Sequence, residues 1–266
     1  MRRAALFLLI LLAACLKGPT VPYEPHDRTL AKAPLFFYPA QSRPAKAFLF
    51  FIGNDIGFWK PHAELALRLA HAGYDVVGFD FRKYVGTLPS SEPARDSSFG
   101  ASIGGLIARA RADLGADSLP AIVGGHSSGA EIALWIATRR PPPALVGVLA
   151  VSPRSMGHLF VTPLDVLNKE ASGRWAFSTI DATARVAPSV HIALVRGAHD
   201  PLRRYDSSFA AAGGSRFRYY EVPLAGHSLK KLLIAGPIIE NAVAFLLGDH
   251  AGKRAAATAG TVAPHD

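Results

Sequence analysis

The chain has 266 residues, half of them hydrophobic, a formal net charge of +9 and one cysteine. That length can bury a single large core, and nothing in it suggests a second domain or an internal repeat. The lone cysteine rules out an internal disulfide, and the basic residues fall in scattered pairs (Arg139-Arg140, Arg203-Arg204, Lys230-Lys231) without interleaved aromatics, which argues against a nucleic-acid partner.

Met-Arg-Arg opens the chain and the apolar run Ala4 to Ala14 follows. The run is too short for a bilayer, which needs roughly 20 residues, and reads as a secretory signal over residues 1–14. Its end, Leu-Ala-Ala-Cys at 12–15, resembles a bacterial lipobox. The resemblance implies that Cys15 is lipidated, becomes the mature N-terminus and gives the protein a membrane partner. Leu16, in place of an aspartate, implies sorting to the periplasmic face of the outer membrane. Residues 15–34, with Pro19, Pro22 and Pro25, read as an extended tether. At an envelope surface, the anions nearest a basic chain are phospholipid headgroups, lipopolysaccharide or cell-wall polymers.

Beyond the tether, short apolar segments alternate with helical patterns. Strands are expected at 35–39, 46–52, 75–80, 121–125, 145–151, 190–195 and 217–222, and helices at 59–72, 99–114, 128–139 and 236–247. This alternation predicts one α/β domain over 35–247, its sheet mainly parallel and covered by helices on both faces. His62 and His71, on the first of those helices, read as surface or helix-end residues. Residues 152–187 interrupt the pattern without a clean helical period, yet carry Met156, Leu159, Phe160, Leu164, Trp175 and Phe177. They suit either a lid or acyl-binding wall over the site, or a simple cap packed on the core. The tail over 248–266, rich in Ala, Gly and Thr, is expected to be disordered.

The chemistry is carried by residues 121–135, an apolar strand running into Gly-His-Ser-Ser-Gly and then a helical pattern. That order is the context of a nucleophile elbow, in which Gly125 and Gly129 leave room for a turn that lifts Ser127 above the sheet. A serine hydroxyl is a weak nucleophile and needs a histidine base oriented by an acid. Asp200 follows the apolar run 190–195 in Arg-Gly-Ala-His-Asp-Pro, and His227 follows the run 217–222 in Pro-Leu-Ala-Gly-His-Ser, so both stand beyond strand ends. His199, the rival base, adjoins Asp200 and is expected to point away. The oxyanion of a tetrahedral intermediate needs preorganised donors; the backbone N–H of Ser128 and that of Asn54, in the loop Gly53-Asn54-Asp55-Ile56-Gly57, are the candidates. His126, His199, Asp200 and His227 lack paired spacing on one helix, so no metal and no cofactor is expected.

Gly-His-Ser-Ser-Gly at the elbow, Gly-Ala-His-Asp-Pro at the acid and Gly-His at the base resemble the α/β-hydrolase superfamily over roughly residues 35–247. Phe-Ile-Gly-Asn-Asp-Ile-Gly-Phe-Trp at 51–59 and Val-Val-Gly-Phe-Asp-Phe-Arg-Lys-Tyr at 76–84 further resemble the VirJ/AcvB group of periplasmic hydrolases. That group has a serine-glycine-aspartate-glycine loop, a tryptophan and an arginine-tyrosine pair at these places. Here Ile52 and Asn54 replace its serine and aspartate, and Ala130-Glu131 its alanine-aspartate. The first resemblance implies a serine hydrolase of ester or related acyl bonds on a small-molecule or lipid substrate. The second implies, for some members, an aminoacylated phospholipid. A hydrolase scaffold that binds a lipid or protein partner without catalysis is the alternative.

Overall fold

The computed structural model describes residues 23–87, 96–160, 170–173, 175–228 and 236–248. The expected signal segment 1–14, the lipidation candidate Cys15 and the tail beyond residue 248 lie outside them.

A seven-stranded sheet organises the chain: β1 (Leu35–Tyr38), β2 (Phe48–Ile52), β3 (Asp75–Phe79), β4 (Ala121–His126), β5 (Leu145–Val151), then β8 (His191–Gly197) and β9 (Phe217–Val222), in the spatial order β1-β3-β2-β4-β5-β8-β9. Edge strand β1 is antiparallel to β3, and every other pairing is parallel. Strands β2, β3 and β4 are buried along their whole length because both faces of a parallel sheet are covered. In β2 this splits cleanly. Phe48, Phe50 and Ile52 enter one core, while Leu49 and Phe51 enter the other. The first core is closed by α4 (Asp96–Asp113) and α5 (Ser128–Arg139), the second by α2 (Lys60–His71) and α8 (Gly236–Leu247).

Several short elements lie outside those the sequence predicts, the first of them within the stretch 15–34 expected as an extended tether. They are α1 (Arg28–Ala31), α3 (Phe81–Gly86), α6 (Thr179–Arg185) and α7 (Asp206–Gly213). Each is too short to display a 3.6-residue period, but three have readable caps: the side chains of Asp27, Asp80 and Ser178 accept from the N–H groups of Thr29, Lys83 and Asp181. Within 152–187, β6 (Met156–His158) and β7 (Ala176–Ser178) form a two-stranded antiparallel ribbon. This region is fastened to the core. The buried Glu131 carboxylate of α5 accepts from the backbone and guanidinium of Arg154, and a Cβ on Gly157 would stand 2.9 Å from that of Glu131. The described part of the expected lid therefore packs against α5; Leu164 lies outside the described residues.

At the other end of the sheet, the Tyr23 hydroxyl donates to Asp113 at the close of α4, and the Asp27 N–H donates to the same carboxylate. Beside them the Arg111 guanidinium gathers the carbonyls of Asp117, Leu119 and Pro143, which lead into β4 and β5. This is the amino end of the parallel strands.

Candidate active site

β4 ends at His126 and α5 begins at Ser128, so Ser127 alone makes the turn, at φ 55° and ψ −121°. Such a conformation costs a non-glycine residue about 1–3 kcal/mol and persists only where its surroundings over-determine it. They do so here. The Ser127 N–H donates to the Val151 carbonyl of β5 at 2.8 Å. A Cβ on Gly125 would stand 2.3 Å from the Gly129 carbonyl carbon, and one on Gly129 would stand 2.2 Å from the Gly53 oxygen. Both positions admit only glycine. The same approach sets the loop after β2, including Asn54, against the start of α5.

His227 arrives from the far side. After β9 the chain turns at Leu224, φ 59°, and folds back on the end of β8, where the His199 N–H donates to the Ala225 carbonyl at 2.8 Å. Gly197 permits this contact: a Cβ there would lie 2.3 Å from that same oxygen. His227 Nε2 then accepts from the Ser127 hydroxyl at 2.9 Å, and its Nδ1 donates to Asp200 Oδ2 at 3.1 Å. The structure thus brings Ser127, His227 and Asp200 into one hydrogen-bonded line. Exposed His199 takes no part in it.

Asp200 is almost fully buried and caps a 3-10 turn (Pro201–Tyr205), Oδ1 accepting from the Leu202 N–H at 2.9 Å. Burial pushes its carboxyl up, but the bond and charge of His227, the Leu202 N–H and Arg196 outweigh it and hold the pKa at about 2. Sequence reasoning did not identify Arg196. Its fully buried guanidinium reaches Asp200 at 3.4 Å, Asp206 at 2.6 Å and the Pro153 carbonyl at 3.0 Å, tying β8, α7 and the segment after β5 together. An arginine inside an apolar strand, four residues before the acid, was the available signal.

Asn54 is buried, its side-chain oxygen accepting from the Ile56 N–H, and Ser128 occupies the first position of α5. His62 corrects the sequence expectation. It is fully buried, not a surface residue, while His71 is exposed. His126 is buried as well and donates from Nε2 to the His227 carbonyl at 2.9 Å.

No family model matches the chain, and no curated protein matches it in sequence. Solved structures do. MenH from S. aureus is similar at TM-score 0.62 and 12% identity, over 80% of this chain and 99% of that one. The esterase domain of a Rhodothermus marinus protein is similar at TM-score 0.53 and 13% identity, over 77% and 89% of the two chains. Thermogutta terrifontis esterase 2 is similar at TM-score 0.52 and 17% identity, over 87% and 91%. With a mostly parallel sheet flanked by helices and these likenesses, the chain has the α/β-hydrolase fold.

Proposed function

We propose that the protein is a serine hydrolase of ester or related acyl bonds. The observation that carries this reading is the line from Asp200 through His227 to Ser127, at 3.1 and 2.9 Å. The Ser127 oxygen attacks the substrate carbonyl as His227 Nε2 takes its proton. Asp200 holds the ring in the tautomer with a bare Nε2 and stabilises the charge that forms. The tetrahedral oxyanion rests on the N–H groups of Ser128, at a helix N-terminus, and of Asn54. Its collapse expels the leaving group, which takes the proton back from His227. Water then frees the acyl group from Ser127 by the same steps, with His227 as base.

The rim favours a substrate with an apolar part. Ile56, Trp59 and Leu224, at 60%, 38% and 80% exposure, are the exposed large hydrophobic residues among the described ones, and all three follow carboxyl ends of parallel strands. A lipid or other envelope ester fits that rim and the lipobox-like Cys15, which would hold the protein at the periplasmic face of the outer membrane. The likeness to the VirJ/AcvB group points to an aminoacylated phospholipid as one such ester. A fluorophosphonate probe tests the activity itself: the wild-type chain is expected to label, and Ser127→Ala and His227→Ala to lose labelling with unchanged circular dichroism. A folded wild-type protein that does not label would overturn the reading and leave a binding scaffold.

A further inference from the structure

Behind the reactive histidine lie two more, both buried, which the steps above do not use. His126 is 3% exposed and His62 is fully buried on α2. Their rings are neighbours: centroids are 5.7 Å apart for His62 and His126, and 5.5 Å for His126 and His227.

Hydrogen bonding fixes the tautomer of each. His126 Nε2 faces a carbonyl oxygen, that of His227, so it carries the proton and Nδ1 is a bare acceptor. His62 Nδ1 accepts from the Trp59 N–H at 3.2 Å, so its Nε2 carries the proton and is a donor. The two remaining atoms, His62 Nε2 and His126 Nδ1, are buried and make no direct hydrogen bond, to each other or to any other group. One is a donor and the other an acceptor, on adjacent rings. A buried polar atom left alone costs about 1–3 kcal/mol, which pairing them removes.

We propose that His62 and His126 are positioning residues for His227: bridged donor to acceptor through one water, they carry a chain of hydrogen bonds from the Trp59 N–H to the His227 carbonyl and set the height of the His227 ring at Ser127. Burial keeps both neutral, pushing His126 down to about 4 and His62 well below its ordinary value, so the tautomers persist through neutral pH. On its Cα side Gly226 is open, a Cβ there meeting only the His199 oxygen at 4.0 Å, while its carbonyl oxygen packs on Gly197. The His126 bond adds a hold on the His227 backbone itself to those that Gly197, His199 and Asp200 supply.

The inference rests on His227 acting as the base, so one arm of its test needs no turnover. Nitrogen-15 NMR of the histidine-labelled full-length wild-type chain is expected to show both His126 and His62 neutral with the proton on Nε2 at pH 7. A proton on Nδ1 of either ring overturns the relay whether or not the protein is an esterase. The kinetic arm compares His126→Phe, which fills the space without a donor, with His126→Gln, whose amide N–H reaches the Nε2 position. Misplacing a catalytic group by about 1 Å can cost 10²-fold. His126→Phe is therefore expected to lower kcat for a nitrophenyl ester roughly 10- to 100-fold with KM nearly unchanged, and His126→Gln to recover most of it. Equal activity of the two variants at equal folded fraction would assign His126 a packing role only.

Discussion

The two halves of the candidate site are held by different physics. On the serine half, backbone meets backbone: Gly125, Gly129 and Gly53 approach so closely that Ser127 has one place to be. On the histidine half, Gly197 meets the Ala225 and Gly226 oxygens as closely, but the reacting groups also hang on buried and partly buried polar contacts among Arg196, Asp200, Asp206, His126 and His227. Sterics tolerate no substitution but are indifferent to pH and salt. A polar network tolerates shape changes but depends on charge and protonation. The base is therefore the adjustable member of the pair and the nucleophile the fixed one.

Three measurements would sharpen or break that contrast. The largest effect is expected from Arg196→Met, which leaves buried Asp200 and partly buried Asp206 without their guanidinium; breaking a buried pair this way costs about 3–5 kcal/mol. Urea unfolding checks it, and a loss below about 1 kcal/mol would deny the network its role in the histidine half. Next comes acid. His126 titrates at about 4 in the folded protein against its ordinary value of 6.5, so between these values the unfolded chain binds more protons. Stability present above pH 6.5 is then lost as the pH falls towards 4, by on the order of 3 kcal/mol, since one pKa unit is about 1.4 kcal/mol. His62 adds in the same direction. Asp200, held at about 2, adds its own loss only below its ordinary value of 3.8. Unfolding at pH 7 and pH 4.5 should differ less in His126→Gln than in wild type, and an equal difference would remove His126 as the source. The comparison that ends on the smallest effect is a matched pair of glycines. Gly129→Ala forces a methyl onto the Gly53 oxygen and should cost about 3 kcal/mol, the upper end for over-packing. Gly226→Ala, with open space around it, should change stability by less than about 0.5 kcal/mol. Similar costs for the two would erase the distinction between the halves.

The same contrast governs what could be read from the chain alone. Gly-x-Ser-x-Gly is legible because its spacing is itself a steric requirement, and Asp200 and His227 are legible because strand ends collect at one edge of a parallel sheet. The alternating architecture follows from the apolar runs, which in β2 fill both cores. The network is less legible because its partners are distant: nothing near Arg196 announces Pro153, and nothing near His126 announces residue 227. His62 stands in the first turn of α2, within the helix-end reading, but the signal for its burial was overlooked. With Leu65, Ala66 and Leu69 it occupies the buried stripe of α2 at helical spacing, a place where a histidine is part of the core. The short helices α3, α6 and α7 escaped for want of enough turns to show a period.

The contact between Tyr23 and Asp113 ties the first described residue to the fold. Tyr23 is pinned at the amino ends of the parallel strands, whereas Ser127, Asp200 and His227 all stand past carboxyl ends. A lipid on Cys15 would be joined by eight residues, whose full extension is about 28 Å. The amino-terminal attachment and the reactive rim therefore stand at opposite ends of the parallel strands, and a load taken at one need not disturb the geometry at the other.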